Sequence, residues 1–309
     1  MPKRWLAWTA LFLMAAAQLP AGSRTPRFLS FSAKDRHGIY LRDLKPEEVT
    51  LMVGDNPVEV RYFGYRDVDA AYAFLIENSP RTAQYNVSMP QYGRINAVDQ
   101  VRSYLSGGYL QSLLEGGTAL VAEFYKELKI LQDFTGDEYL LSEALNRMTP
   151  RASGLDKERI PIGRMIGRGV DLLRERPEKR KVLVLFTKTV DRDSLPHMEE
   201  YRQMLRLFDV DFFVVSFASR PTGSIGRSHV EQANALFFKS LADETAGRLY
   251  LTGEYVFLNE FMDDLLSRVR NSYTLGFYVD SDDARVEHDV EILIARPKCK
   301  VTARRKLVF

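Results

Sequence analysis

Residues 72–81 have the sequence YAFLIENSPR, in which a short apolar run ends directly in a polar segment. A second apolar run, KVLVLF at residues 181–186, is followed in the same way by TKTVD at residues 187–191. Continuous apolar runs with abrupt polar ends are typical of strands buried on both faces of a parallel sheet. Ligands of such sheets bind outside the carboxyl ends of the strands, where the strand order reverses. We therefore expect residues 77–81 and 187–191 to lie together at the functional edge of the sheet.

Strand and helix patterns alternate through the middle of the chain. Apolar residues at helical spacing predict helices over residues 98–114, 137–148, 160–173, 195–208, 229–245 and 257–270, and apolar runs predict further strands at 119–125, 128–134, 210–217 and 248–252. The first two of these strands are joined by only two residues, which permits antiparallel pairing alone. We predict an α/β fold with a Rossmann-like, doubly wound, mostly parallel sheet, helices on both faces and one antiparallel edge strand.

The composition is that of an ordinary globular protein. The chain has 309 residues, of which 45% are hydrophobic and 27% are charged. A formal net charge of +2 is too small to indicate a nucleic-acid partner. The single cysteine, Cys299, cannot form a disulfide within the chain, and the scattered histidines form no metal-binding motif.

The amino terminus has the layout of a secretory signal peptide. Lys3 and Arg4 precede an apolar stretch over residues 5–17, and QLPAG at residues 18–22 supplies a helix breaker and small residues for cleavage. The apolar stretch is short for a bilayer span, although an uncleaved membrane anchor is the alternative. We predict a signal peptide over residues 1–22 and a secreted or periplasmic protein that has no membrane contact after cleavage.

Both ends of the remaining chain have β character. Residues 23–66 contain short β patterns, and residues 286–295 alternate between apolar and polar side chains, which predicts a strand with one apolar face. We expect residues 273–309 to pack with residues 23–66 as a small β-sandwich beside an α/β domain over residues 67–272. The basic residues at 298–306 are interpreted as protection of an edge strand, with an acidic partner as the alternative.

The order of these features resembles the von Willebrand factor A (VWA) domain, whose Rossmann-like sheet has one short antiparallel edge strand. The chain is similar in particular to the exported bacterial VWFA-related domain proteins. The stretches that carry the resemblance are DRHG at 35–38, LKPEEVTL at 44–51, VGDNP at 53–57, DFTGD at 133–137, YTLGFY at 273–278 and the basic segment 296–305. The resemblance implies a module that binds another protein through the top of its sheet.

The resemblance also implies a metal-ion-dependent adhesion site, in which an Asp-x-Ser-x-Ser motif, a Thr and a second Asp hold Mg²⁺. At the matching positions this chain has Glu77 for the first Asp, keeps Ser79, and has Arg81 for the second Ser. Lys188, which follows the usual Thr187, stands where the last Asp belongs. Because cations at ligand positions repel a divalent ion, we predict a degenerate site with no metal and no other cofactor.

Two alternatives use the same strand ends. The first is a rearranged metal site built from Glu77, Ser79 and either Asp191 or Asp193, since the middle loop 153–159 offers no Thr. The second is a hydrolase or a phosphotransferase. The sequence has no Gly-x-Ser-x-Gly elbow, and the glycines of residues 163–169 lie inside a predicted helix rather than between a strand and a helix.

We therefore interpret the chain as a non-enzymatic protein-binding or scaffolding module without catalytic residues. The predicted partner is another protein that docks on the top of the sheet. The candidate partner-binding residues are Glu77, Asn78, Ser79, Arg81, Thr187 and Lys188. The sequence leaves the identity of the partner and the oligomeric state open.

Overall fold

The structure is a computed structural model, and it describes residues 24–67, 69–83, 86–89, 93–151, 159–188, 190–217, 225–251, 258–280 and 286–309. The predicted signal peptide and residues 153–158 of the middle loop lie outside the described residues. Within the described part of the chain, no helix combines the length and the apolar character needed to cross a membrane.

The described residues form sixteen strands. They are β1 (Arg24–Lys34), β2 (Val49–Val53), β3 (Asn56–Val58), β4 (Tyr62–Tyr65), β5 (Ala70–Glu77), β6 (Asn86–Met89), β7 (Gly93–Asn96), β8 (Gly117–Phe124), β9 (Leu128–Thr135), β10 (Arg180–Thr187), β11 (Val210–Ser216), β12 (Arg248–Leu251), β13 (Tyr273–Asp280), β14 (Glu287–Ile294), β15 (Lys300–Ala303) and β16 (Lys306–Val308).

The described α-helices alternate with the middle strands. They are α1 (Pro80–Ala83), α2 (Ala97–Tyr104), α3 (Leu110–Leu113), α4 (Glu138–Asn146), α5 (Ile162–Arg174), α6 (Met198–Leu207), α7 (Ile225–Glu244) and α8 (Leu258–Arg270). A π-helical turn joins α2 to α3, and Gly108 within it has a φ of 89°, which glycine adopts without a steric penalty.

A six-stranded sheet forms the centre of the molecule, with the order β12-β11-β10-β5-β8-β9. All neighbours are parallel except β8 and β9, which are antiparallel. Side chains at alternate positions of β5 enter two cores. Phe74 packs with α2, α4 and α8 on one face, and Leu75 packs with α5, α6 and α7 on the other. The predicted doubly wound α/β fold with an antiparallel edge strand is confirmed.

The two ends of the chain build two four-stranded antiparallel sheets, with the orders β15-β1-β13-β4 and β16-β14-β2-β3. Leu29 and Leu275 of the first sheet share one apolar core with Leu51 and Ile292 of the second. This is the small β-sandwich that the sequence predicted. The segment boundaries given above at 66–67 and 272–273 stay a prediction.

Arginine–aspartate pairs fasten the sandwich to the base of the central sheet. Arg27 of β1 pairs with Asp209 at 2.8 Å, and Arg304 pairs with Asp209 at 2.9 Å and with Asp211 at 3.2 Å. Arg180 pairs with Asp211 at 3.0 Å. Because Arg180 and Asp211 lie at the amino ends of β10 and β11, the sandwich is attached at the end of the sheet opposite Glu77.

Candidate functional site

Glu77 and Thr187 lie at the point where the strand order of the central sheet reverses. After β5 the chain adds β8 and β9 on one side, and it then returns to add β10 and β11 on the other. Ile76 of β5 is paired with Phe186 of β10, so that the next residues, Glu77 and Thr187, are neighbours at the carboxyl ends. The two polar segments that the sequence singled out therefore meet at the expected ligand-binding edge.

The Glu77 carboxylate is fully buried, and each of its two oxygens accepts two hydrogen bonds. Oε1 accepts from the hydroxyls of Ser79 and Thr82, each at 2.5 Å. Oε2 accepts from the Thr187 hydroxyl at 2.6 Å and from the backbone N–H of Lys188 at 2.8 Å. Four donors satisfy the acceptor capacity that a buried carboxylate must fill inside the protein.

The local turn explains why Thr82, which sequence reasoning missed, joins the site. The backbone N–H of Thr82 donates to the Ser79 hydroxyl oxygen at 3.1 Å, and Pro80 begins the short helix α1. This arrangement turns the Thr82 side chain back over Ser79. A Ser followed by Pro, with a Thr three residues after the Ser, is the kind of helix-start signal that could have identified Thr82.

Lys188 lies beside this buried carboxylate, and Arg81 lies close to Lys188. The Lys188 ammonium donates to the backbone carbonyl of Arg81 at 3.4 Å, and both side chains are partly buried. Burial lowers the pKa of Lys188 below its ordinary value, the Glu77 carboxylate acts in the opposite direction, and Arg81 lowers it further. Positive charge is thus concentrated where the resemblance placed a metal ion.

Asn78 joins the end of β5 to the chain that follows α4. Its side-chain Nδ2 donates to Glu123 at 2.7 Å and to the Thr149 carbonyl at 2.9 Å. Its Oδ1 accepts from the backbone N–H of Arg151 at 3.2 Å. Because Asn78 is buried and these bonds are internal, its side chain holds the site together rather than facing a partner.

The structure gives Asp191 and Asp193 partners other than Glu77 and Ser79. Asp191 accepts from the backbone N–H of Ile162 at 2.9 Å and from the Ser194 hydroxyl at 2.6 Å, which ties its loop to the start of α5. Asp193 forms an exposed pair with Arg159 at 2.9 Å. The carboxylates of the rearranged metal site are therefore engaged elsewhere.

The donors that surround Glu77 do not fit Mg²⁺. This ion requires oxygen ligands in near-octahedral geometry. Here the hydroxyls of Ser79, Thr82 and Thr187 donate to the Glu77 carboxylate, so that an ion would have to replace these bonds, and the Lys188 ammonium lies close by. Among the described residues, no group of three or more Asp, Glu, His or Cys side chains could hold a metal ion.

The central sheet has the mostly parallel arrangement and the antiparallel edge strand that the resemblance implied, and the chain has a VWA-like fold. No protein-family model and no curated protein matches the sequence.

The comparison with solved structures matched BatB, a VWA domain and a minor pilin. BatB from Bacteroides thetaiotaomicron has a TM-score of 0.46 and 10% identity, over 65% of this chain and 97% of that chain. The SpRpn10 VWA domain has a TM-score of 0.42 and 13% identity, over 63% of this chain and 94% of that domain. The PilB minor pilin from Streptococcus sanguinis has a TM-score of 0.49 and 12% identity, over 66% and 62%, so that this chain covers less than two thirds of the pilin. At such identities, and with TM-scores below 0.5, these likenesses carry no argument about what this chain does.

Proposed function

We propose that the chain is a non-enzymatic protein-binding or scaffolding module, exported from the cytoplasm, whose metal site is degenerate. The observation that carries the proposal is the buried Glu77 carboxylate, which accepts hydrogen bonds from Ser79, Thr82 and Thr187. These hydroxyls serve the protein's own carboxylate instead of an ion. The same bonds leave Glu77 without an accessible oxygen for a substrate, which supports a binding role over an enzymatic one.

Lys188 and Arg81 supply the positive charge at this end of the sheet. A partner's Asp or Glu side chain would meet Arg81 through two parallel hydrogen bonds and Lys188 as a point charge. Truncating one partner of such a pair costs about 2–5 kcal/mol when the pair is buried at an interface. A pair that stays at the rim is weakened by salt. Both side chains are partly exposed and are therefore available for contact.

The other candidate residues act indirectly in this proposal. Glu77, Asn78, Ser79 and Thr187 are buried, so that they cannot themselves form the docking surface. Their role is to fix the loops that carry Arg81 and Lys188. Of the six predicted partner-binding residues, two would then contact the partner and four would support them.

A charge-matched pair of double variants tests the proposal. Arg81→Ala/Lys188→Ala removes both cations at the top of the sheet, and Arg164→Ala/Arg168→Ala removes the same charge from exposed positions of α5. Immobilised wild type and both variants are incubated with an extract of exported proteins, and the bound proteins are quantified. We expect the first variant to fold normally and to lose its bound protein, while the control retains it. Equal recovery on all three would contradict docking at this end.

A further inference from the structure

A small cleft lies where the β-sandwich meets the base of the central sheet, far from Glu77 along the strands. Its polar lining comes from both units of the fold. The residues are Ser30 and Ser32 of β1, Thr302 of β15, Arg180 of β10, Arg268 of α8, and Ser272 between α8 and β13. The inner space is about 10 Å³, which corresponds to one water-sized particle.

Every polar side chain in this lining is of a type that donates hydrogen bonds, although the Ser272 hydroxyl already donates to the Val269 carbonyl at 2.7 Å. Two guanidinium groups and four hydroxyls face the same space, and none of the described lining residues is acidic. Ser32 and Ser272 are buried, and the side chains of Arg180 and Arg268 are only 11% and 17% exposed. Like charges that share a partly buried space repel each other unless an anion lies between them.

The bonds that Arg180 and Arg268 make leave donors for a ligand. Arg180 uses Nε for Asp211 at 3.0 Å and Nη1 for the Ser272 hydroxyl at 3.2 Å. Arg268 uses Nε for Asp264 at 2.7 Å. Among the described residues, Nη2 of Arg180 and both Nη atoms of Arg268 have no hydrogen-bond partner. The hydroxyls of Ser30, Ser32 and Thr302 likewise have no side-chain bond within the described part of the chain.

The ion pairs behind the cleft contain more cations than anions. On one side, Arg27, Arg180 and Arg304 share the two carboxylates of Asp209 and Asp211. Arg180 and Arg304 are almost fully buried, so that solvent screens their charge poorly.

The other side of the cleft repeats this imbalance. Arg248 and Arg268 share the single carboxylate of Asp264, which also accepts a hydrogen bond from the Tyr250 hydroxyl. An anion in the cleft would therefore complete the charge balance of both groups.

We propose that this cleft binds a tetrahedral oxyanion of the phosphate class between Arg180 and Arg268. One oxygen enters the inner space, and the rest of the group stays at the mouth, where the ion or the molecule that carries it is open to solvent. Charge-assisted bonds from guanidinium groups to phosphate oxygens are among the strongest in proteins. The site is independent of the function proposed for the top of the sheet.

Because β1 and β15 contribute one wall and α8 and β10 the other, a bound anion would bridge the two units. A ligand that binds the folded state alone stabilises it by mass action. Inorganic phosphate should therefore raise the thermal unfolding midpoint above that found in sodium chloride of equal ionic strength. Calorimetric titration with phosphate should give one saturable site.

Two arginines that share Asp264 provide the decisive comparison. Arg268→Gln removes a lining cation, and Arg248→Gln removes a cation that pairs with the same carboxylate but is 52% exposed and lies outside the cleft lining. We expect Arg268→Gln to weaken phosphate binding about tenfold or more, since charged hydrogen bonds are lost. Thr302→Val, which removes one hydroxyl, should weaken it less, and Arg248→Gln should leave it unchanged.

The outcomes distinguish a specific phosphate site from unspecific attraction of anions to positive charge. Equal weakening in Arg248→Gln and Arg268→Gln, or no difference between phosphate and chloride for the wild type, would overturn the proposal. A parallel titration with O-phosphoserine identifies the source of the anion. Binding as tight as that of phosphate supports a phosphoryl group on a larger molecule, and binding of phosphate alone supports the free ion.

Discussion

Thr187 donates a hydrogen bond of 2.6 Å to Glu77, from the end of one strand to the end of its neighbour. The two residues are 110 positions apart in sequence, and both are fully buried. The bond joins the loops after β5 and β10 at the point where the strand order reverses. A position that could face an external ligand is thereby closed by an internal contact.

The first prediction concerns the contribution of this carboxylate to stability. Glu77→Gln keeps the shape of the side chain, but its amide NH2 can only donate and therefore cannot accept the two hydrogen bonds of the oxygen it replaces. We expect it to lower the free energy of unfolding by about 1–3 kcal/mol. Urea denaturation measures the change. Glu127→Gln, at an exposed position near the same end of the sheet, is the control and should change stability little. Equal changes in the free energy of unfolding for the two variants would mean that the hydrogen bonds of Glu77 do not stabilise the fold.

The second prediction concerns metal. An ion at the top of the sheet would have to displace hydrogen bonds of Glu77 and would lie beside the Lys188 ammonium. We therefore expect isothermal titration with Mg²⁺ or Mn²⁺ at millimolar concentration to show no saturable site. A single saturable site in the wild type that Glu77→Ala abolishes would contradict this expectation and restore the rearranged metal site.

The sequence predicted the meeting of Glu77 with Thr187 because both follow apolar runs, 72–76 and 181–186, that are long enough only for buried strands. It could not predict the direction of the Glu77 side chain. An acid at a strand end can face solvent or the protein, and the choice here depends on hydroxyls from two separate segments. The hairpin of β6 and β7 was also missed, since residues 86–96 have no continuous apolar alternation.

The cleft at the base of the sheet shows the same limit. Ser30 and Ser32 alternate with Leu29 and Phe31, so that the sequence indicates a strand with one polar face. Nothing in that alternation shows what the polar face contacts. Only the pairing of β1 with β13 and the docking of the sandwich bring these hydroxyls to Arg268.

A third prediction tests the sandwich core with two neighbouring residues of β14. Ile292 is 6% exposed and packs in the core shared by both sheets, whereas Leu293 is 45% exposed on the opposite face. Ile292→Ala should lower the free energy of unfolding by about 2–5 kcal/mol because it leaves a cavity. Leu293→Ala should cost less than about 0.5 kcal/mol.

Deletion of residues 286–309 extends this test. It removes β14, β15 and β16, which leaves the β14-facing edge of β2 unpaired and uncovers part of the core that Leu51 shares with Ile292. We expect the shortened chain to aggregate or to lose cooperative unfolding. One transition at an unchanged midpoint would show that the sandwich is not needed for the fold.

The last prediction concerns the pH dependence of the contact between the segment after β14 and the segment before β2, which is a neighbouring strand in the same sheet. Arg296 donates to both oxygens of Glu48, at 2.7 and 2.8 Å. This bidentate pair, together with the backbone N–H of Lys45, lowers the pKa of Glu48 to about 2. Because the folded-state pKa lies below the unfolded value, the stabilisation is complete above about pH 4.5 and is lost as the pH falls toward 2.

Glu48→Gln should therefore be less stable than wild type at pH 6, and the difference in the free energy of unfolding should shrink steadily between pH 4.5 and 2. Glu47→Gln, a neighbouring exposed acid, is the control, and it should show no such convergence. Added salt should reduce the difference at pH 6, since the pair is partly exposed. A difference between wild type and Glu48→Gln that stays constant across this pH range would mean that the carboxylate charge is not what stabilises the contact.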